Sequence, residues 1–163
     1  MANIYVPHWD GDSEDWRRAL LGAQAGCEQI GISLYELAPG ERMVFHYHLQ
    51  NEEALIVIAG RPTLRTSEGE QELDEGSIVG FPRGERGAHG FSNQTDQPVR
   101  VLVVSELNAP NVSVYPDTNE VGIFDTWRRS ERRFGALFNL DTAVSGYAGG
   151  QPTIGASPPS DTD

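Results

Sequence analysis

Between positions 46 and 60 the chain reads HYHLQNEEALIVIAG, in which two histidines flank a tyrosine, two adjacent glutamates follow, and an apolar run closes on glycine. Residues two apart on an extended strand share a face, so His46 and His48 project together while Phe45 and Tyr47 project the other way. Two imidazoles a few ångströms apart on one face are a natural pair of metal ligands. Glu53 opens the next strand, and counting by twos puts Leu55, Val57 and Ala59 on its face, an interior in which a carboxylate is costly unless it meets a cation or a metal. If Glu53 points inward, Glu52 points outward with Ala54, Ile56 and Ile58; a bulge would exchange the two glutamates, and Glu53 is the preferred ligand. Three of the chain's four histidines are His46, His48 and His89, and His89 begins a short strand-like segment after the glycine-rich loop of GSIVGFPRGERGAHGFSN, residues 76–93. Three histidines and a glutamate at the mouths of strands could supply four nitrogen and oxygen ligands and leave coordination positions open.

The elements that would position these residues are mostly strands. From Cys27 to Glu106, short runs of Val, Ile, Leu and Thr alternate with turn signals at APGE, AGRP, SEGE, DEGS, PRGERG and NQTDQP. Strands at such spacing, with no helical pattern between them, indicate an all-β antiparallel sandwich or barrel. Ahead of them, SEDWRRALL at 13–21 begins with a capping serine and places acids before arginines, which predicts one short surface helix. Beyond residue 107, NVSVYPD reads as a further strand. FDTWRRSERRFGALF, with Phe124, Trp127, Phe134, Leu137 and Phe138 among four arginines, reads as a partly exposed turn or helix, with an amphipathic cover for the barrel or a partner surface as the alternative. The Gly-, Pro- and Ser-rich stretch from Gly146 reads as a mobile tail. The expected layout is an N-terminal extension over 1–26, a barrel core over 27–107, a C-terminal extension packing on it over 108–145, and the tail over 146–163.

Composition narrows the partners. At 163 residues, 38% of them hydrophobic, the chain suits one packed domain. A formal net charge of −12 opposes binding to nucleic acid or to an anionic membrane, and a small-molecule ligand fits better. The 12 basic residues are all arginine, and no mechanistic meaning attaches to that bias. A single cysteine, Cys27, offers neither a disulfide framework nor a cysteine-rich zinc site, and it reads as a small buried hydrophobe. No segment reaches the roughly 20 apolar residues that span a bilayer, and no signal-peptide pattern opens the chain, so a soluble cytoplasmic protein is expected.

The two histidine-bearing stretches resemble the two signature motifs of the cupin superfamily. Gly40, His46, His48, Glu53 and Gly60 satisfy every spacing of the first, and its six-residue step to Gly60 also favours Glu53 over Glu52. Gly76, Pro82, Gly84, His89 and Asn93 follow the second, except that four residues rather than two separate Gly84 from His89, a longer loop that small single-domain cupins often have. The resemblance spans roughly residues 30–106, and the trailing VYPD is similar to the end of a group of small bacterial cupins with no assigned reaction. It implies a jelly-roll barrel (double-stranded β-helix) in which His46, His48, Glu53 and His89 bind one divalent metal, with Gly40, Gly60, Gly76 and Gly84 serving turns. It also implies a homodimer, with Ala54, Ile56 and Ile58 available to a subunit contact or a second sheet.

Two functions follow from the resemblance and the ligand set. One is a mononuclear metalloenzyme using Mn, Fe, Ni, Co, Cu or Zn on a small oxygen-rich molecule, by dioxygenase, isomerase, decarboxylase or lyase chemistry. The other is a non-catalytic module that binds or senses a sugar, an organic acid or the metal itself. No separate acid or base stands out, although Glu52 or Tyr47 would serve if turned inward. Arg83 and Arg86, in the loop before His89, are candidate contacts for an anionic substrate, and Val44, Leu55 and Phe91 are candidate pocket-lining residues by parity. Asn93 is assigned to fixing a turn.

Overall fold

The computed structural model describes residues 1–12, 16–125 and 134–142. In chain order the first elements are β1 (Gly11–Asp12), β2 (Trp16–Ala19), helix α1 (Leu21–Ala25), β3 (Ile30–Leu37), β4 (Tyr47–His48) and β5 (Glu53–Ala59). Then come β6 (Thr63–Thr66), β7 (Gly69–Glu72), β8 (Ile78–Phe81), a 3-10 turn at Glu85–Gly87 and β9 (His89–Ser92). The remaining strands are β10 (Val99–Glu106), β11 (Asn111–Tyr115), β12 (Glu120–Phe124) and β13 (Gly135–Asn139).

One layer is a six-stranded sheet in the order β1-β2-β3-β10-β5-β8. The opposite layer has a four-stranded part, β13-β12-β11-β4, and a three-stranded part, β7-β6-β9. Bridges from Arg42 to Ser92 and from His46 to His89 join those two parts along the segment that carries the first histidine. The core lies between the layers and draws on Leu55 and Val57 from β5, Val99, Val101 and Val103 from β10, Leu64 from β6 and Phe91 from β9. Strict alternation of buried and half-buried residues along β10, with Val99, Val101 and Val103 on the buried side, shows why apolar residues at a period of two fold as a strand here. This is the jelly-roll arrangement that the sequence implies.

The turns follow the punctuation of the sequence. Gly60 closes β5 at φ +79, and a Cβ there would lie 2.9 Å from Val99 Cγ1, so both the backbone and the packing require glycine. Asn93 fixes the loop before β10: its amide donates to the carbonyls of Leu37 at 3.0 Å and Gln97 at 2.8 Å, and its oxygen accepts from the Thr95 N–H and hydroxyl. The four residues between Gly84 and His89, two more than the motif has, hold the 3-10 turn.

Two segments depart from expectation. Residues 16–19 form a strand instead of part of a helix over 13–21, because Trp16–Ala19 pairs in register with Leu37–Leu34 of β3. Ladder pairing and the complete burial of Ala19 against Leu34 outweigh local helix preference, and the five-residue helix begins only at Leu21. Near the other end, Gly135–Asn139 is a strand paired with β12 rather than a turn or helix, with Phe134, Leu137 and Phe138 exposed. Trp127, the arginines at 128–133 and the expected tail from Gly146 lie outside the described residues.

The outer face of the six-stranded sheet carries a second apolar cluster of Ala19, Leu21 and Leu34, against which Ala2, Ile4, Trp9, Ile32, Ile58 and Leu102 pack. Ile58, one of the outward residues assigned to a second sheet or a subunit, thus packs against the same cluster as the N-terminal residues. Trp9 is held there by the Arg17 guanidinium, 4.8 Å from its ring centre, while Arg17 pairs with Glu36 at 3.2 Å. Cys27, expected to be buried, is half-buried just beyond α1.

Candidate metal centre

The alternation of β5 continues through its first residue, so Glu53 faces inward and is buried while Glu52 is exposed. Cross-strand pairing sets Glu53 opposite Phe81 on one side and Ser105 on the other. His48 lies on β4, and His46 reaches the same place through a reciprocal backbone pair with His89, N–H to carbonyl at 2.9 Å in both directions. The side chains converge: His46 Nε2 lies 3.1 Å from His48 Nε2, and Glu53 Oε2 lies 3.3 Å from both His48 Nε2 and His89 Nε2. Potential ligand atoms of His46, His48 and Glu53 all fall within 4.8 Å of one another. His48, Glu53 and His89 are 5%, 7% and 3% exposed, so the cluster is screened little by solvent.

Each ring is fixed on its far side. His46 Nδ1 donates to the Val44 carbonyl at 2.9 Å and His89 Nδ1 to the Gly87 carbonyl at 2.8 Å; a carbonyl can only accept, so both rings carry the proton on Nδ1. The Gly87 carbonyl is available because that residue is glycine: a Cβ would come within 1.8 Å of the Pro82 carbonyl oxygen. The Phe81 ring stacks on His89 with centres 3.7 Å apart and 5° between planes, and Tyr115 of β11 stacks on His46 at 6.0 Å and 25°. His48 Nδ1 meets Asn111 Oδ1 at 3.1 Å and Ser113 Oγ at 3.0 Å, both from β11.

Electrostatics follow from this crowding. Burial, reinforced by the neighbouring His89 and His48, lowers the His46 pKa to about 4, so the ring is neutral at neutral pH. Burial alone would raise the Glu53 carboxyl, but hydrogen bonds and positive charge from His48 and His89 outweigh it and hold the group well below the usual carboxylate range. That lowering belongs to protonated rings; with neutral rings protonated on Nδ1, a bound cation would fill the same electrostatic role. On the facing wall Tyr35 packs against the core, its ring 6.0 Å from Phe91. Burial pushes the Tyr35 hydroxyl up, against the Arg18 guanidinium paired across from it, and the Glu53 carboxylate adds to the rise.

The remaining candidates separate. Leu55 and Phe91 are buried core residues on the inner face. Val44 is 57% exposed, because the residues ahead of β4 are not a regular strand and the alternation carried back from His48 stops at His46. Arg83 makes a bidentate pair with Glu106 at the surface, and Arg86 is exposed on the 3-10 turn. Tyr47 is half-buried, its hydroxyl pushed up by burial and then by Glu85, and the Glu52 N–H donates to Glu106. A groove lined by Gly40, Arg42, Glu70 and Ser92–Thr95 shares no residue with the cluster. Asn51, Asn111, Ser113, Tyr115 and Tyr35 were not singled out from sequence. The only signal available was the buried-strand character of NVSVY, whose alternate residues include two small polar ones.

Among known proteins, the cupin domain profile matches residues 33–105, a span that contains all four cluster residues. The tetracenomycin polyketide synthase protein TcmJ of Streptomyces glaucescens is 29% identical over 122 residues, 74% of this chain and 79% of TcmJ. The crystal structure of a sugar phosphate isomerase from a cupin superfamily, from Silicibacter pomeroyi, superposes with a TM-score of 0.75 at 25% identity, covering 88% of this chain and 94% of that one. The polyketide cyclase RemF from Streptomyces resistomycificus shares the fold at a TM-score of 0.50 and 24% identity, over 61% and 68% of the two chains. Among the described residues no helix is long and apolar enough to cross a membrane.

Proposed function

The chain belongs to the cupin superfamily, and from that premise we propose that it is a metal-dependent enzyme acting on a small oxygen-rich molecule, with His46, His48, Glu53 and His89 holding one divalent transition metal. The observation that carries this reading is the hydrogen bonding behind the rings. The Val44 and Gly87 carbonyls each accept from an Nδ1 N–H, so His46 and His89 in that tautomer turn Nε2 lone pairs toward the Glu53 carboxyl group. Lone pairs and negative charge brought together in a buried place are repulsive unless a cation sits among them. Three imidazole nitrogens and one carboxylate oxygen suit Mn, Fe, Co, Ni, Cu or Zn.

When bound, such a metal supplies a Lewis acid that polarises a carbonyl or hydroxyl oxygen. The chain's own residues do the rest. Leu55 and Phe91 make the surrounding wall apolar and limit water. Tyr35, kept neutral by its raised pKa, is an inward hydroxyl that can donate a hydrogen bond to a substrate oxygen as charge grows there. Likeness to a sugar phosphate isomerase along most of the chain makes a hydroxy-carbonyl compound the first substrate class to test.

Isomerisation of small sugar phosphates should therefore be assayed with the chelated protein and after reloading with each metal in turn. Turnover lost on chelation and restored by one metal supports the enzyme. Stoichiometric ligand binding without turnover under any metal would replace it with a binding module. The reading includes a homodimer, with exposed Ile78 and half-buried Ala54 and Ile56 at the contact; a monomer in sedimentation at micromolar concentration would remove the dimer and leave the site intact.

A further inference from the structure

We propose that a side-chain relay fixes the tautomer of His48: the Asn108 N–H orients Asn51, Asn51 orients Asn111, and the Asn111 amide oxygen takes the His48 Nδ1 proton, leaving Nε2 turned to the cluster as an unprotonated donor. The use of that donor rests on the metal reading above, whereas the relay rests on hydrogen-bond geometry alone.

An asparagine side chain presents an acceptor and a donor of nearly the same shape, and only partners confined to one role decide which atom faces which. A backbone N–H can only donate. The Asn108 N–H lies 2.9 Å from the Asn51 side chain, so the facing atom is Oδ1 and the other terminus of Asn51 is its amide nitrogen. That nitrogen lies 3.2 Å from Asn111, which makes the facing atom of Asn111 its oxygen. The same oxygen is 3.1 Å from His48 Nδ1, and an acceptor there places the ring proton on Nδ1. Asn111 Nδ2 donates to Ser113 Oγ at 3.3 Å, and Ser113 Oγ is 3.0 Å from His48 Nδ1, a second acceptor for that proton. Asn51, Asn111 and Ser113 are buried, so water does not offer an alternative partner and the reversed tautomer would set lone pair against lone pair. Asn108 is itself anchored through its side-chain amide, which donates to the Gln50 carbonyl at 2.7 Å.

Asn111 is thus a positioning residue. Asn108, Asn111 and Ser113 all lie beyond residue 105, where the cupin domain match ends, so a neighbouring strand sets the donor state of a ligand within the domain. The geometry also makes opposite forecasts for one chemical change at two positions. Asn111→Asp keeps an acceptor toward His48 and accepts from Asn51, so it preserves the tautomer. Asn51→Asp removes the donor toward Asn111, whose amide then reverses, donates to Asp and to His48 Nδ1, and drives the ring proton to Nε2.

The test uses the full chain with its histidines labelled with nitrogen-15, stripped of metal and held above the ordinary imidazole titration range, with cobalt(II) affinity measured by chelator competition. Wild type and Asn111→Asp should show the proton of His48 on Nδ1 and similar cobalt affinity. Asn51→Asp should shift it to Nε2 and weaken cobalt binding by roughly 10–100-fold, whereas Asn111→Leu, which leaves only the Ser113 hydroxyl as acceptor, should weaken cobalt binding without driving the proton to Nε2. A proton on Nε2 in the wild type, or Asn51→Asp behaving like Asn111→Asp, would overturn the relay. Should Asn111→Leu fail to fold, the two aspartate variants still decide the matter. If the wild type carries the Nδ1 proton but binds no cobalt, the relay stands and the metal reading falls.

Discussion

His89 and His48 reach the same carboxylate oxygen at the same 3.3 Å but are held in different ways. His89 is braced by the backbone: a carbonyl from its own loop takes Nδ1, and the Phe81 ring lies flat on it. His48 is braced by the side chains of Asn111 and Ser113, 63 and 65 residues further along the chain. A backbone brace survives most substitutions and depends on loop shape, whereas a side-chain brace is open to change one residue at a time. The first secures the site; the second can tune the donor strength of a ligand.

Breaking the backbone brace has the largest expected effect. Gly87→Ala would drive a methyl group to within 1.8 Å of the Pro82 carbonyl, forcing the loop open and displacing the acceptor of His89. A loss of about 1–3 kcal/mol or more in denaturant unfolding is expected, together with weakened metal binding. Unchanged stability and affinity would show that the loop reshapes without cost to His89. Loosening the side-chain brace is milder: in Ser113→Ala the Asn111 oxygen still accepts from His48, so metal affinity should fall by no more than about 10-fold, the low end for an outer partner. A fall matching that of Asn111→Leu would make the hydroxyl, not the amide, the principal acceptor.

The two braces can also be compared through pH. His46, held like His89 on a carbonyl, titrates near 4 in the fold against an ordinary 6.5, so between these values the unfolded chain binds more protons than the folded one. Its contribution to the stability of the stripped protein is full above about 6.5 and falls as the pH drops toward 4. Replacing His46 with Gln should flatten that part of the pH–stability curve; an unchanged slope would assign the dependence to other groups. The smallest effect is expected at the rim: Arg83→Ala removes only a surface pair with Glu106, and metal affinity should not change.

The halves of the site differ in how far they can be read in the sequence. Parity along β5 places Glu53 inward and Glu52 outward, because a strand buried on one face leaves no freedom in its alternation. The same count fails at Val44, where the chain is held by single bridges to β9 and β4 covers only two residues. It also cannot find Asn111 or Ser113, since nothing local to NVSVY states that β11 will lie beside His48; that pairing is a tertiary fact, of Ser113 with His48 and Val114 with Tyr47. For the same reason the helix cues of SEDWRRALL lose to an unpaired edge of β3, and the arginines before His89 turn out to face solvent or Glu106.

The most direct measurement is metal content by plasma mass spectrometry on protein purified without a histidine tag, beside His46→Ala and His89→Ala. The account predicts close to one equivalent of a transition metal per chain in the wild type and its loss in both variants. A wild type that stays metal-free after reconstitution at neutral pH, where these imidazoles are available, would contradict it and leave a binding module that has kept the ligand geometry for its packing.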